Sequence, residues 1–217
     1  MSQTEELSLK VSGEHVRQAV AHCIGVLRDV PAARWHSRAG GLEWTCWETV
    51  EHIADDLLTY AMRFGVARTM EVSRVPLLVS QARENGPANV IFADRTSGSD
   101  GLLTVMEACG GLLATVVDSA DPTALAPHVF GPSDPEGFAA MGVVETLVHT
   151  YDVTHDLDRS WEPAQGLSER VLARLFPDVA VIDDPWSTLL WATGRIETTD
   201  RARRTNWRWH GEPLGGG

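Results

Sequence analysis

Long apolar runs are missing from this sequence: nowhere do eighteen apolar residues follow one another, and the expectation is a chain without a membrane-spanning helix. Cysteine is scarce. Cys23, Cys46 and Cys109 are the only three and form no close pair, which argues against a disulfide framework. The opening residues MSQTEELSLK lack the basic-then-apolar order of a secretory leader, so a cytoplasmic location is expected. Positive charge is short as well, with 18 Lys and Arg against 30 Asp and Glu and a net charge of −12. Such a balance repels a phosphate backbone and speaks against general nucleic-acid binding. The three closely spaced arginines Arg201, Arg203 and Arg204 read as a solvated loop. Tryptophan, by contrast, is plentiful: of eight, five lie beyond residue 150.

What is present suits a globular, mostly helical protein, with 43% hydrophobic and 22% charged residues over 217 positions. Four stretches carry apolar residues at three- and four-residue spacing and predict long helices. The first runs from Ser12 to Asp29 and stops before Pro31. The second opens on a Thr45–Glu48 capping box and continues to about Met70. The third spans Asp100 to Ser119, with Gly110 and Gly111 inside it, where either a close helix approach or a kink would account for them. The fourth begins near Ser133 to Pro135, with Ser133 and Glu136 as a second capping box, and reaches about Leu157. Four such stripes fit a four-helix bundle over 1–160. Residues 161–217 read as a short α/β extension packing on it. SERVLARLFPDV and DPWSTLLWATGR predict two short helices, TNWRWHGEP an edge strand, and LGGG a disordered tail. The segment NVIFADR is compatible with a strand or a loop.

Chemistry concentrates on the fourth helix. Glu145 and His149 are four residues apart and so share a face about one turn apart, amid Val143, Val144, Leu147 and Val148. A carboxylate and an imidazole on an apolar face need each other, other partners or a cation. The pair alone fits a plain hydrogen bond as well as a ligand set. His52, in the second turn of the second helix, adds a third donor. Lone histidines on apolar helices are more often satisfied core residues, yet facing helices of a bundle also build shared metal sites. Two imidazoles and one carboxylate leave positions open for water or substrate, as catalytic sites do. A metal-free polar network of the same three residues is the bland alternative. Asp152, three residues after His149, and Asp56, four after His52, could face the site as acceptors that fix an imidazole tautomer, although solvation on the helix surface is the commoner fate of such residues. Arg195 could meet a substrate carboxylate, against the commoner reading of a surface ion pair. Trp44 and Trp47 are expected at the mouth of the bundle, and Cys46 reads as a buried, inert thiol.

The stretches LEWTCWETVEHIADDLL and VVETLVHTYDVTHDL, with the tail DDPWSTLLWATGRI…NWRWHGEP, resemble the DinB/YfiT-like metal-binding bundles. Within these, the chain looks like the N-terminal domain of the mycothiol-dependent maleylpyruvate isomerases, of the actinobacterial type. The resemblance implies a divalent metal, zinc above all, on His52, Glu145 and His149, and mycothiol as co-substrate. Full isomerases carry a larger C-terminal domain, which speaks against maleylpyruvate itself. The expected activity is therefore thiol S-transfer or thiol-assisted isomerisation of a small electrophile, with Asp152 and Arg195 as catalytic candidates. A non-catalytic module that binds or sequesters a small molecule is the alternative, and a homodimer is compatible with either.

Overall fold

Why the apolar stripes become helices where they do is seen at their ends. The computed structural model describes residues 9–156, 161–182 and 184–215, and among them the chain is mostly helical, with no strand. Four long helices, α1 (Gly13–Leu27), α2 (Cys46–Met62), α3 (Gly98–Ser119) and α4 (Pro135–Thr154), precede two short ones, α5 (Leu167–Leu175) and α6 (Pro185–Ala192). The expected box starts α2: the Thr45 hydroxyl accepts the N–H of Glu48 at 3.2 Å, and Glu48 Oε2 accepts the N–H of Thr45 at 2.8 Å.

The start of α4 corrects the sequence reading. Pro135 occupies the first turn, so the residue before it becomes the cap. Asp134 Oδ1 accepts from the N–H of Gly137 at 2.7 Å. Ser133 instead pairs its backbone with Ala126, and Glu136 Oε1 takes the N–H of Val11 at 3.2 Å. Likewise α2 ends at Met62 instead of near Met70, because none of residues 63–70 is buried and no apolar stripe remains to hold a further turn against the core. The expected end of α4 at Leu157 lies outside the described residues.

α3 packs on α1 and α2, and α4 packs on all three. Gly110 has a packing reason: a Cβ there would lie 2.7 Å from Val20 Cγ2, so α1 and α3 approach too closely for any side chain. Gly111 faces open space, and nothing in the packing explains it. α4 is apolar almost all round, as a helix enclosed by others must be. Arg95–Ser119, which contains α3, is the one described helical stretch long and apolar enough to cross a membrane, with mean hydropathy 1.5. Its Leu102, Met106 and Leu113 are fully buried in the core, while 39% of its apolar 18-residue window is buried.

The C-terminal segment departs from expectation. TNWRWHGEP forms no strand. The N–H of His210 reaches Leu175 O at 2.7 Å, and the buried Arg174 guanidinium donates to the carbonyls of His210, Gly211 and Glu212 and to Asp134 Oδ1. One side chain thus takes the carbonyls that a neighbouring strand would have taken. Trp209 enters the core against His128 and Phe130. The arginine cluster is not merely solvated either: Arg201 and Arg204 lie over the Trp191 ring at 4.5 and 5.2 Å. Of LGGG, Leu214 and Gly215 carry no regular structure, and residues 216–217 lie outside the description.

NVIFADR is a loop, laid along α2 by carboxylates. Asp55 Oδ1 accepts the N–H groups of Val90 (2.7 Å) and Ile91 (2.9 Å), and Glu51 Oε1 accepts that of Ala93 at 2.9 Å. Glu48 holds Arg83 of the same connection at 2.8 Å. This pinning carries Asn89 to the side of α2 that bears His52.

Candidate metal centre

His52 rises from α2, and Glu145 and His149 from α4, two helices that pack directly on each other. The four-residue step on α4 works as expected, with His149 Nε2 3.1 Å from Glu145 Oε2. One donor atom from each of His52, Glu145 and His149 lies within 4.8 Å of the other two, close enough to hold one ion. Among the described residues this is the one such group of His, Cys, Asp and Glu.

Each imidazole is held from behind. His149 Nδ1 meets Asp152 Oδ2 at 3.0 Å, and Asp152 is itself gripped by Arg195, through NH2 at 3.0 Å and Nε at 3.4 Å. His52 Nδ1 meets Asn89 Oδ1 at 3.3 Å. With both Nδ1 atoms engaged outward, the Nε2 atoms are the ones left for the centre, the arrangement that outer partners impose on metal-binding histidines. Asp56 is a candidate outer partner of His52 by its spacing. It stands instead 3.3 Å from His52 Nε2, on the inner side. The true outer partner, Asn89, carried no signal in the sequence, since it sits in a connection whose form the pattern left open. It is fully buried, and its Nδ2 has no partner.

Charges divide unequally. Burial and the charge of His149 push His52 down to about 4, so it is neutral near pH 7 and its nitrogen lone pair is free. Burial also opposes a charge on His149, but its hydrogen bonds to Asp152 and Glu145 outweigh that and raise it to about 9. Burial works to raise Glu145 and Asp152, yet His149, with Arg195 at Asp152, brings both below the usual carboxylate range. Asp56 goes the other way, raised well above its ordinary value by burial and by the nearby Glu145. The charge on His149 offsets that of Glu145 as Arg195 offsets Asp152, so a divalent cation would enter by displacing the proton from His149 Nε2 and taking Glu145 as its carboxylate. The residues present fit such an ion.

The remaining candidates separate cleanly. Trp44 lies against both imidazoles, with ring centroids 4.7 Å from His52 and 6.0 Å from His149. Trp47 does not join it: the indole N–H donates to Glu51 at 3.1 Å and the ring lies under Arg95. Arg195 is committed to Asp152 and to Thr193 O, so it positions Asp152 and does not point at the three donors. Cys46 is buried, with its thiol pushed up by burial, in line with an inert role. Comparison with protein-family models, curated proteins and solved structures finds no match for this chain.

Proposed function

We propose that this protein is a metal-dependent enzyme on a four-helix bundle of the DinB/YfiT type, using a low-molecular-weight thiol, mycothiol, as nucleophile towards a small electrophile. The observation that carries this reading is the convergence of His52, Glu145 and His149 from two helices, with both histidines anchored through Nδ1. The resemblance of the stretches around these residues supplies the thiol. His52, Glu145 and His149 would hold the ion, and two nitrogens with one carboxylate suit zinc. A divalent cation held there lowers the pKa of a thiol, making a nucleophile at neutral pH.

The chain's own residues do the rest. Asn89 and Asp152 keep the two Nε2 atoms turned inward, and Arg195 keeps Asp152 charged. Asp56, beside His52 Nε2 and raised well above the ordinary carboxylate range by burial and by Glu145, is placed to pass a proton to a leaving atom. Trp44 covers the imidazoles and excludes water. Release of the thiol adduct gives an S-transferase; re-expulsion of the thiol after bond rotation gives a cis–trans isomerase.

Zinc-loaded protein mixed with mycothiol and monochlorobimane tests the reading. Conjugate formation above the His149→Ala background, turning over many times per chain, is the expected result. No conjugate above that background overturns the activity, and a ligand held at one per site without release marks a binding protein instead. Elemental analysis of untagged protein tests the metal separately, with less than about 0.1 ion per chain favouring a metal-free polar network.

A further inference from the structure

Asp152 also lines a cavity of about 380 Å³, together with Gly40, Leu42, Tyr151, Arg195 and Arg203 among others. The charge of this cavity is unlike that of the rest of the molecule. The chain carries a net charge of −12, yet this pocket brings two guanidinium groups to one carboxylate. Arg195 and Asp152 neutralise each other at 3.0 Å. Arg203 has no carboxylate within ion-pair distance among the described residues; its Nε donates to Gly194 O at 2.6 Å. That bond fixes the plane of the guanidinium and leaves its terminal N–H groups free, one of them beside Gly41, where no side chain intervenes. Leu42, Tyr151 and Trp207 add apolar or aromatic walls, and His155 and Thr193 polar ones.

We propose that this pocket is a binding site for a small organic oxyanion, a carboxylate or phosphate monoester on a short apolar body, received by Arg203. A guanidinium offers paired N–H donors that match such oxyanions. The volume falls in the range of small-molecule sites, and the walls pair a polar anchor with apolar surface as such sites do. The pocket also shares structure with the metal centre. Asp152 is at once its wall and the partner of His149. The loop that lends it Gly40 and Leu42 goes on to place Trp44 on the imidazoles.

Binding does not depend on a metal, so the test uses metal-free protein. Calorimetric titrations with benzoate and with phenyl phosphate are expected to give saturable binding at one ligand per chain for at least one of them. The tighter of the two identifies the oxyanion. Arg203→Gln, at an exposed position that leaves folding intact, should weaken binding at least about tenfold, the loss of one charged hydrogen-bonding partner. Arg208→Gln, an exposed arginine outside this pocket, and His52→Ala should leave binding unchanged. No saturable binding of either probe overturns the proposal. So does binding that Arg203→Gln spares, that both arginine variants weaken equally, or that His52→Ala abolishes. Because failure here leaves the metal content and the conjugation assay untouched, it is distinguishable from failure of the proposed function.

Discussion

At His52 and His149 the decisive contacts are those behind the rings. Nδ1 of one faces an amide at 3.3 Å and Nδ1 of the other a carboxylate at 3.0 Å. The two partners differ in kind. Asp152 is a charged acceptor that raises the basicity of His149, whereas neutral Asn89 orients His52, which burial and the charge of His149 keep unprotonated. Asn89→Ala should therefore lower metal affinity about 10- to 100-fold, the usual effect of losing such a partner. It should do so with the circular dichroism spectrum unchanged. Metal affinity read by competition with a chromophoric chelator measures it, and unchanged affinity would show that packing alone orients the ring.

At the scale of the element, α2 is where the site is assembled. Its sequence WETVEHIADD looks like a helix with a solvated acidic face, and a charge run on a helix usually is one. Here Glu48, Glu51 and Asp55 are buried, because each satisfies groups of the connection between α2 and α3: Arg83, the N–H of Ala93, and the N–H groups of Val90 and Ile91. The acidic side of α2 is thus a rail along which a mostly irregular connection, with only short 3-10 turns at Thr69–Glu71 and Arg95–Ser97, is threaded. Asp55→Ala strands two backbone donors at once. It should cost about 2 kcal/mol in chemical denaturation, and it should also lower metal affinity about tenfold by freeing Asn89. A stability loss with metal affinity intact would separate the loop from the site.

Over the whole molecule, one core cluster runs from Val11 to Trp209, so the C-terminal segment belongs to the same packed interior as the long helices. Arg174 is the fastener. A single buried guanidinium joins α5 to the cap of α4 and to three carbonyls of the last segment. Arg174→Met keeps the stem and removes the donors, leaving Asp134 without its partner. The expected loss is about 3 kcal/mol, or about 10 °C in Tm, with the bonds after Arg204 and Arg208 becoming open to trypsin. A melting temperature within about 2 °C of the parent would mean that the tail is held by Trp209 alone.

The sequence by itself determined the four long helices, the Thr45 cap and the Glu145–His149 pair. Each of these rests on spacing along one helix, and a period of 3.6 residues is set by the backbone before any packing occurs. It could not determine where α2 stops, since a helix continues only while a partner covers its face, nor which residue caps α4, where Pro135 overrode the Ser133 pattern. It gave no hint of Asn89 behind His52, of the inner place of Asp56, or of Arg174 replacing a strand. These are contacts between residues far apart in the chain, and only the packed tertiary structure decides which distant polar groups meet once water is excluded.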